Sequence, residues 1–119
     1  MKLLNSYTYE IKKSKFIAYL YDIKTVDEVK SILSELKKEH SKARHIPYAY
    51  VLSNTAGKSD DGEPSNTAGL PLYNLLQLKG LENKLLVVVR YFGGTKLGAS
   101  NLLRSYVNSA NECINKTEQ

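Results

Sequence analysis

The stretch from Lys84 to Phe92 constrains the fold more than any other. It reads Lys84, Leu85, Leu86, Val87, Val88, Val89, Arg90, Tyr91, Phe92. No polar residue alternates with the apolar ones, so this is not a strand with one wet face. Its shortness and β-branched content favour a strand over a helix. A strand apolar on both sides belongs in the middle of a sheet. Directly after it comes Gly93-Gly94-Thr95-Lys96-Leu97-Gly98, a glycine-rich turn. A chain of 119 residues is long enough to build one domain and bury a core around such a strand.

The other elements follow from periodicity. In residues 3–11, Tyr7, Tyr9 and Ile11 alternate with Thr8 and Glu10, which is strand spacing. Residues 12–15 are a polar break of hairpin length, and the aromatic and apolar residues 16–23 form the second strand. Thr25 with Glu28 is a capping-box pattern, and Val26, Val29, Ile32, Leu33 and Leu36 repeat at helical spacing, which predicts a helix over 25–40. Residues 46–53 read as a third strand and 54–66 as a single long loop. A helix is expected over 66–79, with Pro71 in its first turn. A last helix is expected over 99–115, with Leu102, Leu103, Tyr106, Val107 and Ala110 as its stripe. The predicted order is β-β-α-β-α-β-α, one α+β domain without repeat or linker.

Composition narrows the class. Hydrophobic residues make up 42% and charged residues 24%, as in a folded globular domain. No apolar run approaches the length of a membrane span, and the polar N-terminus lacks a signal-peptide core. The single cysteine, Cys113, cannot form an internal disulfide and is expected to pack as a small hydrophobe. A cytoplasmic location is expected. The net charge of +5 lies in residues 1–58, and the remainder is balanced. A localised basic excess fits contact with phosphates or an acidic surface, though it also serves solubility.

Two segments could carry chemistry. Asp60-Asp61-Gly62-Glu63-Pro64-Ser65 puts three carboxylates into four residues before a helix. Their spacing is not that of a calcium-binding loop. The helix-end reading is preferred, with Ser65 or Asn66 as cap and the acids favourable to the dipole. No metal or other cofactor is expected. The Arg90-to-Gly98 turn combines glycines, a helix start, Arg90 and Lys96, which suits a phosphate or carboxylate. Gly57-Lys58-Ser59 is no P-loop, because Leu52 stands where that motif needs glycine. Nine tyrosines fall partly into same-face pairs, Tyr7/Tyr9, Tyr19/Tyr21 and Tyr48/Tyr50. Such rows can stack single-stranded RNA, but aromatic pairing within the sheet is the preferred account.

Residues 60–71 resemble the D-D-G-E-P-S-G-T-A-G-x-P motif of the YigZ/IMPACT family, and residues 88–98 its V-V-x-R-Y-F-G-G-x-K-L-G motif. Lys12-Lys13-Ser14-Lys15-Phe16-Ile17-Ala18 resembles the family's opening, and Ala43-Arg44-His45 its A-x-H. The resemblance implies residues 1–119 as a single domain of the N-terminal type, without the C-terminal ferredoxin-like domain of bacterial relatives. It also implies an α+β fold like the second domain of the fifth small-subunit ribosomal protein and domain IV of elongation factor G. That fold is a four-stranded sheet with helices packed on one face. Asn66 replaces a family glycine, Ser100-Asn101 replace a glycine pair, and Ser105 replaces an alanine. Asparagine tolerates positive φ, so the first turn is expected to survive.

The function expected is that of a non-enzymatic binding module linked to translation or its regulation. Its partner would be RNA, the ribosome or a separate protein, and no membrane is involved. An anion-binding surface is expected at Arg90, Gly93, Gly94, Lys96 and Arg104, beside a motif loop containing Asp60, Asp61, Glu63 and His45. The alternative is an enzyme for a small acidic or phosphorylated substrate, with the same carboxylates facing the same cations.

Overall fold

The structure, a computed structural model, describes residues 1–118. The elements are β1 Lys2–Ile11, β2 Ser14–Asp22, α1 Val26–Glu39, β3 Tyr48–Val51, β4 Ala56–Ser59, α2 Gly69–Leu78, β5 Lys84–Tyr91 and α3 Ala99–Glu118. All neighbouring strands pair antiparallel in the order β1-β2-β5-β3-β4. The sheet therefore has five strands, not the expected four. The additional strand, β4, lies inside the segment read as one long loop. The chain is α+β, as the sequence implied.

β1 and β2 join through Lys12 and Lys13, both at positive φ (49° and 67°), the geometry of a two-residue hairpin turn. Thr25 caps α1 by accepting from the Glu28 amide at 3.2 Å, while Glu28 Oε1 accepts from the Lys24 amide at 2.8 Å. The capping box holds, its return bond reaching one residue upstream of the cap. α1 then carries the chain across β5, so β2 and β3 run parallel with β5 between them.

β5 is the centre of the molecule. Leu85 through Val89 are fully buried and Arg90 nearly so. The pleat divides them. Leu86 and Val88 join Phe16, Ala18 and Leu20 under α2 and α3, against Leu72, Leu76, Leu102, Tyr106 and Ile114. Leu85, Val87 and Val89 point the other way, against Val29, Ile32, Leu33 and Leu36 of α1. The helices thus cover both faces, α2 and α3 on one and α1 on the other. This corrects the one-sided arrangement that the family resemblance implied. A run of five buried apolar residues on β5 leaves no face that could be left to water.

Tyr19, Tyr21, Tyr48, Tyr50 and Tyr91 flank α1, each half-buried in its cluster. Tyr48 and Tyr50 stack with nearly parallel rings, 6.3 Å between centres, and Tyr9 meets Phe16 across β1 and β2 at 6.5 Å. His40, at the end of α1, lies between two of the tyrosines. Its Nε2 is 3.0 Å from the Tyr19 hydroxyl and its Nδ1 is 2.6 Å from that of Tyr91. Among the described residues no helix is long and apolar enough to cross a membrane.

Candidate functional site

Strand alternation sends Arg90 to the same face as Val88 and Leu86, into the layer beneath α3. Its guanidinium lies 5.9 Å from the ring centre of Phe16, its partner across β2 and β5. A charge at this depth needs a counter-charge. Glu63 supplies it from the bend before α2, with its side chain 2% exposed. Arg90 Nη1 donates to both carboxylate oxygens, at 2.9 Å to Oε1 and 2.8 Å to Oε2. Because one nitrogen makes both contacts, the pair is end-on rather than fork to fork. Arg90 Nε is buried with no partner among the described residues.

Tyr106 of α3 donates its hydroxyl to Glu63 Oε2. Burial first, and then this bond to a carboxylate, push the phenol far above its ordinary range. Its ring stands edge-on to Phe16, 5.0 Å away. His45 completes the group, with Nε2 3.5 Å from Glu63 Oε1. Its Nδ1 lies 2.7 Å from the carbonyl of Asp61 and must donate there, since a carbonyl only accepts. Residues 44–46 are themselves tied to β5, as the Arg44 amide donates to the Arg90 carbonyl and the Arg90 amide to that of His45.

The neighbouring acids are structural. Asp60 Oδ1 accepts from the amides of Ala68 and Gly69, and Oδ2 from that of Asn66. Partial burial opposes ionisation of Asp60, but these amide bonds outweigh it and hold the carboxyl below its usual range. Asp60, not Ser65 or Asn66, therefore caps α2. Asp61 Oδ2 accepts from the Ile46 amide at 2.7 Å. Asn66 takes φ +63°, as expected of the residue replacing glycine.

The acidic bend and the turn after β5 meet across a cleft of about 410 Å³. Arg44, His45, Gly62, Glu63, Pro64 and Arg90 line it together with Phe92, Lys96, Leu97, Gly98, Ala99 and Leu102. The Arg44 guanidinium lies 4.5 Å over the Phe92 ring. Of the expected surface, Arg90, Lys96, His45 and Glu63 come together here. Gly93 and Gly94 do not line it. A Cβ on Gly93 would sit 2.2 Å from the Lys13 carbonyl carbon, and the Gly93 amide donates to Ser14 Oγ at 3.1 Å. That glycine seats the turn against the β1–β2 hairpin. Arg104 faces outward on α3 and bonds to Asn101. Tyr106, Arg44 and Phe92 were missing from the expected site. Sequence periodicity places Tyr106 in the helix stripe, and nothing local marks it as a partner for a residue 43 positions away.

A larger hollow of about 540 Å³ lies at the opposite end of β2 and β5, around Met1, Lys2, Asp22 and Lys84. It holds the partly exposed Lys84–Asp22 pair and lies far from this network.

An antiparallel sheet covered on both faces, with a buried Arg–Glu–Tyr network beside a basic-rimmed cleft, defines a compact α+β module with a polar site. The Impact N-terminal domain family matches residues 12–114, and the chain belongs to that family. It is 42% identical over 108 residues to the IMPACT family member YvyE of Bacillus subtilis, covering 88% of this chain and 50% of that protein. A crystal structure of a hypothetical protein superposes with a TM-score of 0.90 at 37% identity, covering 94% of this chain and 57% of that one. The two-domain translational regulator Yih1 shares the fold at a TM-score of 0.59 and 23% identity, over 98% of this chain and 46% of that one. The chain spans about half the length of these relatives.

Proposed function

We propose that this chain is a non-enzymatic binding module of translation regulation, acting in the cytoplasm and contacting RNA or the ribosome through the mouth of the cleft. The observation that carries this reading is how its charges are used. All three carboxylates of the acidic bend are occupied, Asp60 by three amides, Asp61 by the Ile46 amide and Glu63 by Arg90 and Tyr106. Arg44 and Lys96, at the mouth, are exposed and have no carboxylate partner among the described residues. Acids committed to structure beside free cations suit anion binding better than acid–base catalysis. The basic excess of residues 1–58 and the translational regulator among the fold's relatives agree with it.

The test is fluorescence anisotropy of labelled single-stranded RNA against salt. Binding that weakens steeply as salt rises, with a slope reduced in Arg44→Ala and Lys96→Ala, is expected. No binding at low salt, or binding that neither substitution alters, overturns the proposal. Binding of a protein in place of RNA leaves an interaction module without its nucleic acid. Turnover of a small acidic or phosphorylated compound, abolished by Glu63→Gln, establishes the enzyme alternative.

A further inference from the structure

Resting on that reading, we infer that the cleft holds a terminal phosphate monoester of a nucleotide, rather than the phosphodiester backbone of a passing strand. Four features of one wall-to-wall site lead there. α3 begins at the cleft with Gly98 and Ala99 in its lining, and its first turn carries no acidic residue. The positive end of a twenty-residue helix thus opens onto the cavity. Arg90 lines the same cavity more than nine-tenths buried, and its Nε donor lacks an acceptor. Buried N–H donors in folded proteins are almost always paired, and this unpaired one belongs to a residue of the cleft lining, which marks the site as lacking an acceptor. Arg44 and Lys96 stand at the mouth. Apart from His45 and Glu63, the rest of the lining is Gly62, Pro64, Phe92, Leu97 and Leu102, with Phe92 38% exposed beneath the Arg44 guanidinium.

Charge decides the class. Glu63 neutralises Arg90, which leaves Arg44, Lys96 and the helix end to face a ligand. Two cations match the dianion of a phosphate monoester, whereas a phosphodiester brings one negative charge. Phe92 and Arg44 form a flat platform on which a base can stack. A volume of about 410 Å³ falls within the range of small-molecule sites, roughly 300–1,000 Å³. The phosphate belongs either to a free nucleoside monophosphate or to the end of an RNA chain.

The experiment titrates isotope-labelled protein, followed by NMR, with adenosine monophosphate, adenosine, inorganic phosphate, and RNA hexamers bearing a 5′-phosphate, a 3′-phosphate or hydroxyl ends. Adenosine monophosphate is expected to shift the amides of Leu97, Gly98 and Ala99 and the Nε–H of Arg90, while adenosine leaves them in place. Lys96→Ala, at an exposed position, should weaken this binding about tenfold. A phosphorylated hexamer that binds more tightly than the hydroxyl form assigns the phosphate to RNA ends. Binding of the mononucleotide alone assigns it to a free nucleotide and overturns the RNA reading, but not this one. Equal binding of all three hexamers without response to the mononucleotide overturns this inference and leaves the RNA reading intact. Equal shifts from adenosine and its monophosphate, or no response to either the monophosphate or the phosphorylated hexamers, also overturn it.

Discussion

Removing Glu63 should destabilise the fold more than removing any exposed charge, and the geometry sets the scale. The Glu63 and Arg90 side chains are 2% and 8% exposed. Glu63→Ala leaves the guanidinium buried, with Nη1 joining an Nε that already lacks a partner, and it strips the acceptor from the Tyr106 hydroxyl. Breaking a buried pair from one side typically costs about 3–5 kcal/mol, and the stranded phenol keeps the value in the upper half, about 4 kcal/mol. A domain of this size is held together by about 5–15 kcal/mol in all, so the loss is large. At about 4 °C per kcal/mol the midpoint should fall by about 15 °C. Arg90→Met should cost about 3 kcal/mol, because it leaves the carboxylate buried with only Tyr106 and His45 beside it. In Glu63→Met/Arg90→Met no buried charge remains. That variant should lie within about 2 kcal/mol of the parent, the remainder being the phenol, which Tyr106→Phe in the same background then recovers. Urea unfolding followed by circular dichroism at pH 7, with unchanged slopes, measures these four variants and the Glu63→Met single that closes the cycle with the double. Single substitutions costing less than about 1 kcal/mol, or a double variant whose cost is the sum of its parts, would show a solvated, uncoupled pair and refute the reasoning.

Three further outcomes test other parts of the account. Gly93→Ala places a Cβ 2.2 Å from the Lys13 carbonyl carbon and should cost about 3 kcal/mol or more, whereas Gly94→Ala, in open space at φ +95°, should cost about 1–2 kcal/mol, as urea midpoints would read. The folded-state pKa of Asp60 lies below its unfolded value, so its stabilisation is present above about pH 4 and disappears as pH falls through the folded pKa. Asp60→Asn should therefore cost about 1 kcal/mol at neutral pH and flatten the acid limb of the stability profile, and an unchanged limb counts against the cap. Burial pushes the Cys113 thiol up to about 11, leaving it about 100-fold less thiolate than an ordinary cysteine at neutral pH. Ellman's reagent at pH 8 should label it only on unfolding, and rapid labelling of the native protein contradicts its buried position.

What could be read from the chain, and what could not, follows the range of each interaction. The β5 run declared its own central position, and in that respect residue chemistry outperformed family analogy: both faces of β5 had to be covered, and α1 covers the second. β4 was invisible because Ala56-Gly57-Lys58-Ser59 has no β-branched or aromatic residue. It forms by pairing with β3, with the Tyr50 ring so close over Gly57 that a Cβ there would lie 2.6 Å from it. The α2 cap escaped notice for a related reason. Capping rules look at the residue next to the helix, and Asp60 reaches back from eight and nine residues before the amides it binds. His40, at the end of α1, is likewise placed by distant groups, the hydroxyls 21 residues before and 51 residues after it.

Arg90 is where the local rules fail, and the failure is informative. Alternation along β5 places it in a layer otherwise filled by Leu86, Val88 and Phe16, where methionine or leucine would pack without desolvating a charge. The pair it makes with Glu63 cannot explain its presence as a gain in stability, since apolar replacements of buried pairs are commonly neutral or better. Nor does Glu63 use the whole guanidinium, because Nη1 makes both contacts and Nε makes none. What arginine offers here, and leucine does not, is a fixed set of N–H donors on the wall of a cleft whose rim carries Arg44 and Lys96. A sequence that accepts a locally unfavourable residue, and then recruits Glu63, Tyr106 and His45 from three distant segments to hold it, has organised its core around that donor.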